Sequence, residues 1–231
     1  MNQHVNIVRL KVIAIALESL KEKIVFVGGA TVSLYANRIV FEIRPTDDVD
    51  VIIEILSYAK RIALEDKLLS LGFSNDIESG IVCRYRIQGI IVDIIPTNEP
   101  SIGFSNIWYP KGFENSVDCK IDDQCTVKIL SVPYFIATKI EAFKGRGAND
   151  GRTSQDFEDI VFLLENRQNI WDEINNATDE LKAYLKTEFS LLFKNSFLAE
   201  WIDCHVERNS PPATNQILDN IKEFISTKIT N

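Results

Sequence analysis

The chain has 231 residues, 45% hydrophobic and 25% charged, and its 33 acidic residues outnumber 25 basic ones to leave a formal charge of −8. This composition excludes a disordered tail protein, a collagen-like chain and a coiled-coil rod, and at about 100–200 residues per domain the length points to two linked units. The acidic balance argues against a broad basic coat for nucleic acid but leaves room for a small local basic site.

In chain order, residues 4–22 carry Val5, Ile7, Val8, Leu10, Val12, Ile13, Leu17 and Leu20, which predicts an amphipathic helix. Arg9 and Lys11 break its apolar stretch and no small-residue cleavage site follows, so it does not read as a signal peptide. No apolar run reaches the roughly 18–20 residues that span a bilayer. The expectation is a cytoplasmic protein with no membrane partner. Ile24–Val27 reads as a short strand, Gly28-Gly29 follows at once, and 30–36 reads as a helix. Residues 37–47, with Asn37, Pro45 and Thr46, read as a loop before a second strand, Val49–Ile55. Residues 58–71 fit a helix stopped by Gly72. Residues 81–87 and 90–95 read as a hairpin through Gln88-Gly89, and 115–130 as a strand pair around Asp122-Asp123.

Beyond Pro133 the pattern turns helical, over 134–145, 153–166, 178–193, 195–206 and 214–229, with breaks at Asn149, Gly151, Ser210, Pro211 and Pro212. The expected fold is therefore α+β: residues 1–130 form a small mixed sheet flanked by helices, and residues 131–231 form an all-helical domain. Cys83, Cys119, Cys125 and Cys204 include no C-x-x-C pair, and His4 and His205 are far apart. This reads as reduced thiols rather than a zinc site or a histidine-based triad.

Two placements of carboxylates are costly without a purpose. Asp93 interrupts the run Ile90-Ile91-Val92-Asp93-Ile94-Ile95, where a buried carboxylate must be paired, protonated or metal-bound. Arg84 or Arg86 across the hairpin is one available partner. Asp48 and Asp50 flank Val49 at a strand start, so the period of two puts both on one face. Three oxygen donors from neighbouring strands suit Mg²⁺. Gly28-Gly29, between strand and helix, lets a backbone approach phosphate closely.

Together, Val27-Gly28-Gly29-Ala30-Thr31-Val32-Ser33, Asp47-Asp48-Val49-Asp50 and Ile91-Val92-Asp93 resemble the three motifs of the DNA polymerase β-like nucleotidyltransferases. Arg44, Thr46, Asp48 and Asp50 are similar to the Arg-x-Thr-x-Asp-x-Asp pattern of the AbiEii-type toxin branch, and Lys139, Arg146, Asp156 and Asp159 look like its downstream block. The resemblance covers roughly residues 24–165. Gly29 replaces the serine of the commoner Gly-Ser pair, so a hydroxyl contact to phosphate would come from Thr31 or Ser33.

The resemblance implies that Asp48 and Asp50 bridge two Mg²⁺ ions, that Asp93 ligates one of them, and that Lys139 adds charge to the triphosphate. It implies that Gly28, Gly29, Arg44, Thr46 and Arg146 contribute to nucleotide binding. The implied reaction moves an NMP from an NTP to an acceptor hydroxyl and releases pyrophosphate. The acceptor would be RNA, such as a tRNA 3′ end, or a protein hydroxyl, and a toxin of this kind implies an antitoxin partner. A catalytically silent nucleotide-binding module is the competing class.

Three further features carry weaker expectations. Lys139, Lys144, Arg146 and Arg152 form the main basic stretch, read either as a phosphate contact or as a salt-bridged helix face. Gly145, Gly147 and Gly151 read as a flexible loop able to close over substrate. Trp108, Trp171 and Trp201 read as core, with Trp108-Tyr109 as an alternative base-stacking pair, and Phe189, Leu192, Phe193 and Phe197 read as bundle core.

Overall fold

A computed structural model of the protein describes residues 3–37, 43–55, 57–98, 106–147, 150–207 and 213–227. The predicted breaks at Asn149, Ser210, Pro211 and Pro212 lie outside the described residues. The chain divides into two compact units, Met1–Leu34 with Val40–Ser131 and Tyr35–Ile39 with Val132–Asn231.

The first unit is built on a seven-stranded mixed sheet. Its strands are β1 (Ile24–Val27), β2 (Asp48–Ile53), β3 (Ser74–Asn75), β4 (Arg84–Ile87), β5 (Ile90–Pro96), β6 (Val117–Asp122) and β7 (Cys125–Ile129), in the order β3-β4-β5-β2-β1-β7-β6. β2 runs parallel to β5 and antiparallel to β1, and β4 closes on β5 as a hairpin. Gln88 at φ 50° and Gly89 at φ 80° supply the two left-handed positions that a two-residue hairpin turn requires. Val49, Val51, Ile52, Val92, Ile94 and Ile95 are buried, so the central strands have both faces covered.

Helix α1 (Gln3–Ala16) buries Leu10, Ile13 and Ala14 along one stripe, which Leu17 continues just past its end. It gives way to a 3₁₀ segment over Glu18–Lys23, earlier than the expected end. Helix α2 (Tyr58–Ser70) starts at Ser57, whose hydroxyl accepts from the Lys60 N–H at 3.3 Å, and Gly72 at φ 88° follows its end. A short α3 (Tyr109–Glu114), absent from the sequence reading, holds Pro110 in its first turn, where the missing N–H costs nothing.

The second unit holds α4 (Val132–Arg146), α5 (Gln155–Asn166), α6 (Ile170–Asn175), α7 (Asp179–Phe193), α8 (Leu198–Asp203) and α9 (Ala213–Ser226). Residues 35–37 belong here for visible reasons. The Tyr35 ring lies 4.6 Å from that of Phe135, and Arg167 Nη1 donates to the Tyr35 carbonyl at 3.1 Å. Trp171 packs with Phe189 and Phe224, and Trp201 packs with Phe143 and Phe157. Trp108 and Trp201 are buried, and Trp171 is half-buried against its two rings, so all three pack rather than stand out as base-stacking platforms. Phe197, expected in the bundle core, is exposed instead, and Leu192 and Phe193 are half-buried.

Among the described residues no helix is long and apolar enough to cross a membrane. All four cysteines are free thiols.

Candidate active site

The sheet register brings the acidic residues together. Asp50 stands opposite Asp93 on the parallel neighbour and opposite Val27 on the antiparallel one. Asp48 lies two residues earlier on the same face. One carboxylate oxygen from each of Asp48, Asp50 and Asp93 falls within 4.8 Å of the others, the one such cluster of three among the described residues. Asp93 is buried, and Asp48 and Asp50 are half-buried.

Arg84 on β4 is the cation of this cluster, one of the two partners foreseen for Asp93. It pairs in register with Asp93. Its Nε donates to Asp93 Oδ1 at 2.8 Å, and its Nη2 donates to Asp93 Oδ2 at 2.7 Å and Asp48 Oδ2 at 3.3 Å. Those hydrogen bonds to Asp93 hold the guanidinium above its ordinary range, against the opposing effect of burial. The nearby Cys83 thiol is pushed up to about 11, first by burial and then by the charges of Asp93 and Asp50.

Gly28 is required twice over. It leaves β1 at φ 73°, and a Cβ at this position would lie 2.1 Å from Asp50 Oδ2. The backbone therefore reaches the Asp50 carboxylate as no other residue would allow. Gly29 opens a 3₁₀ segment, Gly29–Tyr35, where a helix over 30–36 was expected. Thr31 is fully buried and its hydroxyl donates to the Gly28 carbonyl at 2.9 Å, closing the turn. Ser33 is buried as well, which leaves neither hydroxyl of this segment on the surface.

Thr46 acts at the start of β2, with its hydroxyl donating to the Asp48 carbonyl at 3.0 Å. The sequence reading missed Asn6, which clamps this strand entrance. Its Nδ2 donates to the Arg44 carbonyl at 3.0 Å, and its Oδ1 accepts from the Thr46 N–H at 3.1 Å. Asn6 sits fully buried on the stripe of Leu10, Ile13 and Leu17, and a polar residue on such a stripe is the signal that marks it.

The downstream block forms a cluster of its own within the second unit. Lys139 on α4 is buried, with Nζ 3.0 Å from Asp156 Oδ1 and 2.6 Å from Asp159 Oδ2. Their three-residue spacing puts both carboxylates on one face of α5. Burial opposes the Lys139 charge, but Asp159 and Asp156 outweigh it and hold the ammonium above the ordinary lysine range. Arg146 joins through Nε to Asp156 Oδ2 at 2.7 Å and Nη2 to Asp156 Oδ1 at 2.9 Å, with 66% of its side chain exposed.

The rest of the basic stretch is salt-bridged, Lys144 to Glu141 and Glu188, and Arg152 to Asp150 and Glu200. Gly147 and Gly151 stand where a larger residue would not fit. A Cβ on Gly147 would lie 2.5 Å from the Phe143 carbonyl oxygen, and one on Gly151 would lie 2.6 Å from the Trp201 ring.

A small mixed sheet carrying three convergent carboxylates beside a glycine turn is a nucleotidyltransferase-type arrangement. The same fold occurs in the crystal structure of an antigenic nucleotidyltransferase-like protein from Paracoccidioides brasiliensis, at TM-score 0.51 and 18% identity, covering 88% of this chain and 94% of that one. No curated protein matches the chain. The model of the family "Nucleotidyl transferase AbiEii toxin, Type IV TA system" matches residues 12–209, so the chain belongs to that family and is a nucleotidyltransferase.

Proposed function

We propose that the chain transfers a nucleoside monophosphate from an NTP to the 3′ hydroxyl of a tRNA, with Mg²⁺ held by Asp48, Asp50 and Asp93, and that a cognate antitoxin opposes it. The observation that carries the metal assignment is the convergence of three carboxylate oxygens within 4.8 Å. Three hard anionic donors match Mg²⁺ chemistry, and the missing Cβ at Gly28 makes the room that the Asp50 carboxylate occupies. Mg²⁺ held there (two ions by the family resemblance) would supply charge neutralisation of the triphosphate and favour ionisation of the attacking hydroxyl.

The chain's own residues do the positioning. Asp50 and Asp93 face each other across β2 and β5, on rigid central strands. Asn6 and Thr46 fix the strand entrance that carries Asp48. The backbone at Gly28 and Gly29 is the surface we assign to phosphate oxygens, and the family resemblance assigns Arg44 to the same nucleotide. Lys139 serves in this reading as the anchor of the second cluster. Arg146 is held by Asp156 and largely exposed, and its part in binding substrate phosphate is what the family resemblance implies. Attack at the α-phosphate joins the acceptor oxygen to phosphorus, breaks the bond to the β-phosphate oxygen and releases pyrophosphate.

The test is incubation with each [α-³²P]-NTP, Mg²⁺ and total cell RNA or lysate. The wild-type protein is expected to label an RNA fraction of tRNA size. Asp50→Asn is expected to lose at least ~100-fold in label transfer. Undiminished transfer by Asp50→Asn would sink the metal assignment, and label confined to protein would replace the tRNA acceptor with a protein hydroxyl.

A further inference from the structure

Arg84 is the feature of the acidic cluster that a simple metal site does not need. Its guanidinium grips both oxygens of Asp93 and reaches Asp48 on the far side of β5, with only 18% of its side chain exposed. A guanidinium cannot be deprotonated in a protein, so the cluster carries a permanent positive charge. Each carboxylate oxygen has two lone-pair directions. The fork takes one on each Asp93 oxygen, leaving the others for a metal, while the longer contact to Asp48 is the easier one to break. A free dication entering this cluster must approach a fixed positive charge. A metal–nucleoside triphosphate complex, whose phosphates outweigh the metal, is attracted by that same charge.

We propose that Arg84 is a resident counter-ion that sets the ligand specificity of the centre: it holds Asp93 in place, disfavours free divalent ions and favours the anionic metal–nucleoside triphosphate complex. This rests on the metal assignment to Asp48, Asp50 and Asp93. Arg84 acts through those carboxylates and through the charge it presents, so it is a positioning and specificity residue.

The test measures binding, not turnover. Titrations use Mn²⁺ alone, and Mn²⁺ with the tightest-binding of the four α,β-methylene nucleoside triphosphates, on the full chain. Arg84→Gln is expected to tighten free Mn²⁺ about tenfold and to weaken the Mn²⁺–nucleotide complex about tenfold. Arg84→Lys keeps the charge but loses the bidentate fork, so any weakening it causes is expected to leave the ratio of the two affinities within about threefold of wild type. In Arg84→Gln a merely structural role would move both affinities the same way, so parallel weakening there, or no change in either, overturns the proposal.

Should Arg84→Gln fail to fold, as judged by its thermal melt, the wild-type protein supplies the measurement. Saturating Mg²⁺ must shift the Arg84 Nε–H resonance, assigned by its loss in Arg84→Lys, and an unmoved resonance overturns the proposal. Asp50→Asn separates the two claims. If it binds Mn²⁺ as wild type does, the metal assignment itself falls. If Mn²⁺ binding depends on Asp50 but ignores Arg84→Gln, only the counter-ion role falls.

Discussion

The two acidic clusters of this chain use the same side chains to opposite ends. In the first unit, Asp48, Asp50 and Asp93 converge on one another, with Arg84 reaching two of them and two of the three carboxylates half-exposed. In the second, Asp156 and Asp159 converge on buried Lys139, and Arg146 completes Asp156. Acid facing acid is costly unless a cation from outside joins it, whereas acid facing base is satisfied within the fold. The first cluster is therefore the one we assign to a metal and a nucleotide, and the second is a tie between α4 and α5. Family motifs alone do not make that distinction, because both blocks read as charged patterns.

Mutation separates the clusters sharply. Lys139→Met leaves two carboxylates buried against a neutral side chain, and the expected loss of stability is about 3–5 kcal/mol by urea unfolding. A loss under about 1 kcal/mol would mean that Lys139 is not the tie described. Gly28→Ala should act on the other cluster. The new methyl would meet Asp50 Oδ2 at a backbone φ of 73°. Label transfer should fall about 100-fold through displacement of Asp50, with a stability cost of about 1–3 kcal/mol. Near-normal transfer would show that the close approach of Gly28 to Asp50 has no part in the site.

The smallest effect is in pH dependence. Burial alone would raise the Asp156 carboxyl above 3.8, but the hydrogen bonds of Arg146 and the charge of Lys139 hold it below. Its contribution to stability is thus present above pH 3.8 and is lost as pH falls through the lowered folded value. Lys139, held above 10.5, contributes below pH 10.5 and loses that contribution as pH rises through its folded value. Arg146→Gln should therefore move the acid loss of stability to higher pH and leave the alkaline limit in place. Because Arg146 is largely exposed, the change near neutral pH should stay under about 1 kcal/mol. An acid limit that does not move would remove Arg146 from the cluster's balance.

Much of this was legible in the residues. A period of two in Asp48-Val49-Asp50 and a lone Asp93 in an apolar strand are local signals, and strand pairing turned them into a cluster. Gln88-Gly89 marked its hairpin through turn chemistry. What escaped had no local period to reveal it. Helices α3 and α6 have six residues each, under two turns, too short for a 3.6-residue pattern to register. The hydroxyls of Thr31 and Ser33 looked available for phosphate because burial is a tertiary property. The close packing at Gly147 and Gly151 did not show, because the ring and carbonyl that press on them come from Trp201 and Phe143. Asn6 was hidden in an apolar helix, and its partners lie 38 and 40 residues away.

The most direct measurement is a crystal structure with Mn²⁺ and a non-hydrolysable NTP, read by the anomalous signal of the metal. The account predicts one or two peaks at about 2.0–2.3 Å from carboxylate oxygens of Asp48, Asp50 and Asp93. Nucleotide bound with Mn²⁺ seated away from these three carboxylates, or with no metal among them, would contradict it.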